Sequence, residues 1–181
     1  MRIGVDIDGV VANFVAAFIP LVKERFGLAL REQDIYVHDL YLVLGIPPDQ
    51  VMELIRKTIR CDLEPYPGAV RGLTRLCQRH QVTLVTARPA DMMDITGKWL
   101  ARRNIPHHHL LHFQEGLKHE NRHAFDVFVD DHLREAFGLV SKVPHIIIFD
   151  HPWNRTFDLG GLFKRARNWR ELVSIVEACE P

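Results

Sequence analysis

Short apolar runs that stop abruptly on acidic residues are what most restrict the fold of this chain. Residues 3–7, 82–86, 127–129 and 146–149 are apolar and β-branched enough to be buried strands, with a weaker candidate at 109–113. Helical patterns lie between them, at 68–80, 89–103, 132–140 and 169–178. The pattern at 89–103 has proline near its start and carries Met92, Ile95, Trp99 and Leu100 at helical spacing. Strands alternating with helices predict a parallel α/β sheet covered on both faces.

One interval breaks the alternation. Roughly 75 residues separate the first strand from the second, where a crossover needs only a dozen or so. Three helical patterns fill it, at 10–26, near 36–44 and at 48–60, the last entered through Pro47 and Pro48 with Asp49 in its first turn. Pro65, Pro67 and Gly68 then fix a chain return. A helical insertion of roughly 50 residues therefore follows the first strand, at the sheet edge where open parallel sheets bind ligands, and is placed to act as a lid.

The strand ends carry the chemistry. The first, in "VDIDGVVAN", ends on Asp6 and Asp8; the second ends on Thr86, followed by Ala87 and Arg88. "VFVDD" puts Asp130 and Asp131 at another exit, and Asp150 ends the strand at 146–149. In a parallel sheet these ends share one edge, so three or four carboxylates converge with a hydroxyl among them. Like charges that close raise one another's pKa, and a hard divalent cation relieves them; Mg²⁺ is the usual choice where a phosphate shares the site.

Composition narrows the classes. A chain of 181 residues, 47% apolar and 25% charged, suits one compact unit with a substantial core. Its formal net charge is zero, so bulk electrostatics recruit neither a nucleic-acid polymer nor an acidic membrane. Cys61, Cys77 and Cys179 fit neither a disulfide framework nor a zinc spacing and read as reduced thiols. The apolar run 9–22 follows Asp6 and Asp8 where a signal peptide would be basic, and it is too short to span a bilayer. The expected location is cytoplasmic. His107, His108 and His109, with His112, His119 and His123 nearby, lack the spacing of a zinc site and read as polar loop residues before a strand.

Taken together, the chain resembles the haloacid dehalogenase (HAD) superfamily of phosphohydrolases from residue 2 to about 150. "DIDGV" at 6–10 is similar to its first motif, D-x-D-G-[VT], and Thr86 in "VTLVTAR" to its second. Lys118 is the best match to the third, with His119, Arg122 and His123 as rival cations, and Asp130 with Asp131 match the fourth. "DLYLVLGI", "EPYPGA" and "FDHPWNR" resemble the 5'(3')-deoxyribonucleotidase group and its bacterial relatives, which carry a short helical cap directly after the first motif. The resemblance implies a Rossmann-like, HAD-like core at residues 1–13 and 67–181 with a helical cap at 14–66. Family members are often dimers, so a homodimer is an expectation.

The family mechanism implies roles for these residues. Asp6 would attack phosphorus and form an aspartyl-phosphate. Asp8 would protonate the leaving alkoxide and later accept a proton from water. Mg²⁺ would be held by Asp6, the backbone carbonyl of Asp8, and Asp130 or Asp131 or both. Thr86 and Lys118 would meet the phosphoryl oxygens, with Ala87 and Arg88 beside them. Dehalogenating relatives lack the second aspartate, so Asp8 argues for phosphoryl transfer. Thr86 has a second reading as a helix cap.

The insertion would set specificity. Phe14 and Phe18 lie four apart, and Tyr36, His38 and Tyr41 follow. An aromatic wall suits a nucleobase. An aromatic occupies the position of Phe14 in the deoxyribonucleotidase group and helps enclose the base, although Phe14 and Phe18 also suit the insertion's own core, the preferred reading for Phe18. Tyr41 stands where bacterial relatives often have tryptophan. Trp153, Asn154 and Arg155 read as support for the active-site loop. The expected enzyme is a Mg²⁺-dependent phosphomonoesterase acting on a small phosphorylated metabolite, first a nucleoside monophosphate. A sugar-phosphate phosphatase, a phosphotransferase and an inactive phosphate-binding protein are the alternatives.

Overall fold

The computed structural model describes residues 1–114, 116–120, 124–158 and 160–179. Arg122 and His123, two of the rival cations, lie outside them. Six strands form one sheet among the described residues: β1 (Arg2–Asp6), β2 (Gln81–Thr86), β3 (His109–His112), β4 (Val127–Asp130), β5 (His145–Phe149) and β6 (Lys164–Ala166). Their order is β3-β2-β1-β4-β5-β6 and every pairing is parallel. The chain builds outward from β1 to β3 on one side, then restarts with β4 on the other. β1 and β4 thus flank the point where the winding reverses, and the crevice at their carboxyl ends is a natural ligand site.

Alternation within the strands sorts the core. Val127 and Val129 of β4, and Ile147 and Phe149 of β5, join one apolar cluster with Ile3, Val5, Trp99 and Trp169. Phe128, Ile146 and Ile148 face the other way, onto Ala136, Leu139 and Phe163. Successive side chains of a strand point to opposite faces, so a continuous apolar run is what a sheet covered on both sides requires. Helices α4 (Ala69–Cys77), α5 (Met93–Arg102) and α7 (Trp169–Glu177) supply the first cluster, and α6 (Leu133–Leu139) the second. Gly4 sits where a Cβ would collide with the Phe128 ring, so the strand needs glycine there.

Between β1 and α4 run α1 (Phe14–Phe26), α2 (Leu40–Leu44) and α3 (Pro48–Ile59). They share a small core of their own, in which Phe18, Val22, Leu44, Val51 and Leu54 are buried. Helix α1 begins at Phe14, four residues later than the apolar pattern suggests. Residues 9–13 instead form a tight turn in which the Val11 and Ala12 amides both donate to the Ile7 carbonyl. Asn13 caps the helix, its side chain accepting from the Ala16 amide at 3.3 Å. The region 89–103 divides into a 3₁₀ turn (Ala90–Met92) and α5. Strand β6 has no apolar signature, because an edge strand of sequence Lys-Arg-Ala buries little. His109 lies in β3, while the His107 ring bonds the Ile105 carbonyl and His108 Nδ1 accepts from the Val82 amide. Among the described residues, no helix is long and apolar enough to cross a membrane.

Candidate active site

Three carboxylates meet at the reversal point. Asp6 ends β1, Asp130 ends β4 and Asp131 follows it. All three are buried, and one oxygen from each lies within 4.8 Å of the others. Lys118, in the 3₁₀ turn Lys118–Glu120, projects its ammonium between two of them, 2.5 Å from Asp6 Oδ1 and 2.9 Å from Asp130 Oδ2. Burial opposes its charge, but Asp130 and Asp6 outweigh that and hold it protonated well beyond the ordinary lysine range. Burial raises the Asp6 carboxyl well above its usual range; Lys118 opposes the shift and Asp130 and Asp131 add to it. Burial also raises Asp131.

Three carboxylates facing one ammonium leave negative charge in excess, and every candidate donor atom is a carboxylate oxygen. That set fits a hard divalent cation and not a soft one. The carboxylates are also aimed. Asp130 Oδ1 accepts from the His132 amide at 2.9 Å, and Asp131 Oδ2 from Trp153 Nε1 at 2.9 Å. Gly9, at φ +91°, lies where a Cβ would strike the Asp131 carboxylate, so glycine lets the β1 loop close over the acid.

The Asp8 carboxylate stands apart from the three. It receives a two-pronged hydrogen bond from Arg88, Nε to Oδ2 and Nη2 to Oδ1, each 2.7 Å. Thr86 Oγ1 accepts from the Arg88 amide at 3.1 Å, which leaves its hydroxyl proton available to a ligand.

All ten predicted site residues line one cavity of about 380 Å³: Asp6, Asp8, Phe14, Tyr41, Thr86, Ala87, Arg88, Lys118, Asp130 and Asp131. Its far wall is apolar and comes from α1, α2 and α3, including Val51, Met52 and Ile55. Phe14 stacks on Phe18 at 5.5 Å between centroids and still reaches the cavity, whereas Phe18 is wholly buried in the inserted core. Tyr41 is 39% exposed. Tyr36 is exposed and does not line the cavity.

The model of the family described as "5' nucleotidase, deoxy (Pyrimidine), cytosolic type C" matches residues 1–179. The chain belongs to this nucleotidase family. It is 31% identical over 183 residues to BH1399 of Halalkalibacterium halodurans, which carries a provisional nucleotidase name, covering 97% of this chain and 92% of that one. It is 25% identical to the nucleotidase CA_C3379 of Clostridium acetobutylicum, covering 98% and 94%. Among solved structures, it superposes on the haloacid dehalogenase-like protein SP0104 of Streptococcus pneumoniae with TM-score 0.66 at 12% identity, covering 97% of each chain. YfnB of Bacillus subtilis, solved with magnesium bound and described as a HAD-type hydrolase, gives 0.64 at 14% identity, covering 97% and 98%. The fold is that of the HAD hydrolases, and this nucleotidase-family chain is a phosphoric monoester hydrolase.

Two features of this family member depart from the sequence reading. Asp150 does not join the carboxylate group: β5 is one strand further out, and Arg155 and Arg165 pair with Asp150 at 2.7 and 2.8 Å. Glu135 has no place in that reading. Buried in the first turn of α6, it accepts from the Gly116 amide at 2.6 Å and the Lys118 amide at 3.2 Å, and so anchors the turn that carries Lys118. Its four-residue spacing from Asp131 was the available signal. The segment 149–155 braces the site from behind: Asn154 Nδ2 donates to the Asp131 and Phe149 carbonyls, and His151 Nε2 to the Gly9 carbonyl at 2.6 Å. A carbonyl only accepts, so Nε2 carries a proton. His151 Nδ1 lies 3.5 Å from Glu32, which ties the insertion to this brace.

Proposed function

We propose that the chain hydrolyses nucleoside monophosphates with Mg²⁺, through an aspartyl-phosphate on Asp6. The observation that carries this reading is the single cavity joining the buried Asp6–Lys118–Asp130–Asp131 group to an apolar chamber. A phosphate fits the first part and a flat base the second. Asp6, Asp130 and Asp131, with the Asp8 backbone carbonyl, would hold Mg²⁺, which would offset the charge of the phosphate and polarise it.

In the first half-reaction, Asp6 attacks phosphorus, the ester P–O bond breaks, and Asp8 gives its proton to the departing oxygen. In the second, water attacks the phosphoryl group and passes its proton to Asp8, and the bond to Asp6 breaks, releasing inorganic phosphate. Lys118 and the Thr86 hydroxyl steady the phosphoryl oxygens as charge develops on them. Residues 14–66 act as the cap over a core of 1–13 and 67–181, with Phe14 and Tyr41 meeting the base. The unpaired Cys61, Cys77 and Cys179 support a cytoplasmic setting.

The test is phosphate release from a panel of 5'- and 3'-nucleotides and sugar phosphates, with Mg²⁺ or with EDTA. Mg²⁺-dependent release from 5'-nucleotides that Asp6→Asn abolishes is the expected result. Release that survives Asp6→Asn removes the nucleophile, and release that survives EDTA removes the metal. Turnover confined to sugar phosphates overturns the substrate class.

A further inference from the structure

We infer that Arg88 is a positioning residue that holds the Asp8 carboxyl group against the cavity wall in the orientation needed for proton transfer. The inference rests on the role proposed above for Asp8. Arg88 approaches from the protein interior: its side chain is 1% exposed, while that of Asp8 is 27% exposed and lines the cavity. The fork formed by Nε and Nη2 therefore takes Asp8 from behind.

The guanidinium has no freedom of its own. Nη1 donates to Thr96 Oγ1 at 3.3 Å, and Thr96 in turn donates to the Met92 carbonyl at 2.9 Å. Its carbon lies 5.3 Å from the Trp99 ring centroid, so the plane is held by cation–π contact as well. The Trp99 indole is itself fixed by donating to the Leu63 carbonyl at 2.8 Å. A planar fork fixes a carboxylate in two dimensions where an ammonium fixes only a distance. An acid–base group oriented by a third, rigid group is a recurrent catalytic arrangement. Arg88 also links the two strand ends that must cooperate, since its amide bonds the Thr86 hydroxyl.

This role differs from phosphate binding, and the leaving group separates the two. When the ester P–O bond breaks, an alkoxide needs the Asp8 proton, whereas p-nitrophenolate leaves without it. General acids contribute about 10²–10⁴-fold to such steps. The experiment is single-turnover release of nucleoside from a 5'-nucleotide and of p-nitrophenolate from p-nitrophenyl phosphate, with enzyme in excess and Mg²⁺ present.

Arg88→Ala is expected to slow nucleoside release about 10- to 100-fold and p-nitrophenolate release less than about threefold, with Arg88→Lys between Arg88→Ala and wild type. In an Asp8→Asn background, Arg88→Ala should add nothing to the nucleoside defect. Should Arg88→Ala fail to fold, Arg88→Lys and Thr96→Val carry the same comparison. Equal losses on both esters, or additivity with Asp8→Asn, overturn the inference and leave the hydrolase reading standing. Failure of the wild-type enzyme to release either product overturns both.

Discussion

The hydrogen bond from Trp153 to Asp131 offers a sharp test of the proposed metal site. In Trp153→Phe the ring that stacks on His151, at 4.2 Å and 11°, is largely kept, while the donor to Asp131 Oδ2 is lost. Asp131 is 3% exposed, so water does not readily replace that donor. A hydrogen bond to a charged group contributes about 1.5–3 kcal/mol, which converts to a loss of roughly 10- to 100-fold in Mg²⁺ affinity. The same range is typical when an outer partner of a metal-binding carboxylate is removed. Asn154 still accommodates the Asp131 backbone carbonyl, so the chain itself should stay in place.

The proton adds a second signature. Burial already raises the Asp131 carboxyl, and loss of the indole donor favours the protonated form further. A protonated ligand cannot bind the metal, so the affinity deficit should widen as pH falls. The assay is the Mg²⁺ concentration for half-maximal turnover at saturating substrate, with calorimetric Mg²⁺ binding at two pH values. A half-saturation point within twofold of wild type, in a variant that melts cooperatively, would refute the assignment of Asp131 to the metal.

Two further outcomes follow from contacts outside the reacting groups. Glu135→Gln replaces an acceptor of two amides with a group that turns a donor toward one of them, so the Lys118 turn should loosen. Turnover is expected to fall about 10-fold, equivalent to about 1.4 kcal/mol, with Mg²⁺ half-saturation unchanged; steady-state kinetics check both. Burial of Asp150 acts to raise its carboxyl, but Arg155 and Arg165 more than offset this and leave it below its usual range. A carboxyl lowered in the folded state stabilises it above the unfolded pKa of about 3.9, and that stability is lost as pH falls. Arg165→Met should therefore destabilise the protein by about 1–3 kcal/mol at pH 7 and by less near pH 3, as urea titrations at both would report.

The sequence made the positions of the acids legible but not their orientation. Each of Asp6, Thr86 and Asp130 sits at the end of a β-branched apolar run, and runs of that kind alternating with helical patterns point to buried parallel strands whose exits lie at the ligand edge. Asp150 misled because its run is equally apolar. What separates it is strand order, since β5 lies beyond β4 from β1, and arginines at 155 and 165 neutralise it there. Strand order is a property of the whole sheet, and no local pattern encodes it.

Orientation is harder to read for a related reason. Arg88 holds Asp8 from 80 positions away, Lys118 reaches Asp6 across 112, and His151 meets the Gly9 carbonyl across 142. Arg88 follows β2, Lys118 lies between β3 and β4, and His151 follows β5, so the partners meet only because these connections converge around the end of β1. A polar residue just past a strand in such a chain has two uses, to touch the ligand or to aim a neighbour that does. Composition and spacing are the same for both. Hydrogen bonding separates them: Arg88 is spent on Asp8 and Thr96 from the interior side, whereas the Thr86 hydroxyl keeps its proton for the cavity. The aiming residues therefore stand beside the reacting positions or on another strand's exit: Arg88 two residues past Thr86, His132 and Glu135 one and four past Asp131, and Trp153 beyond β5.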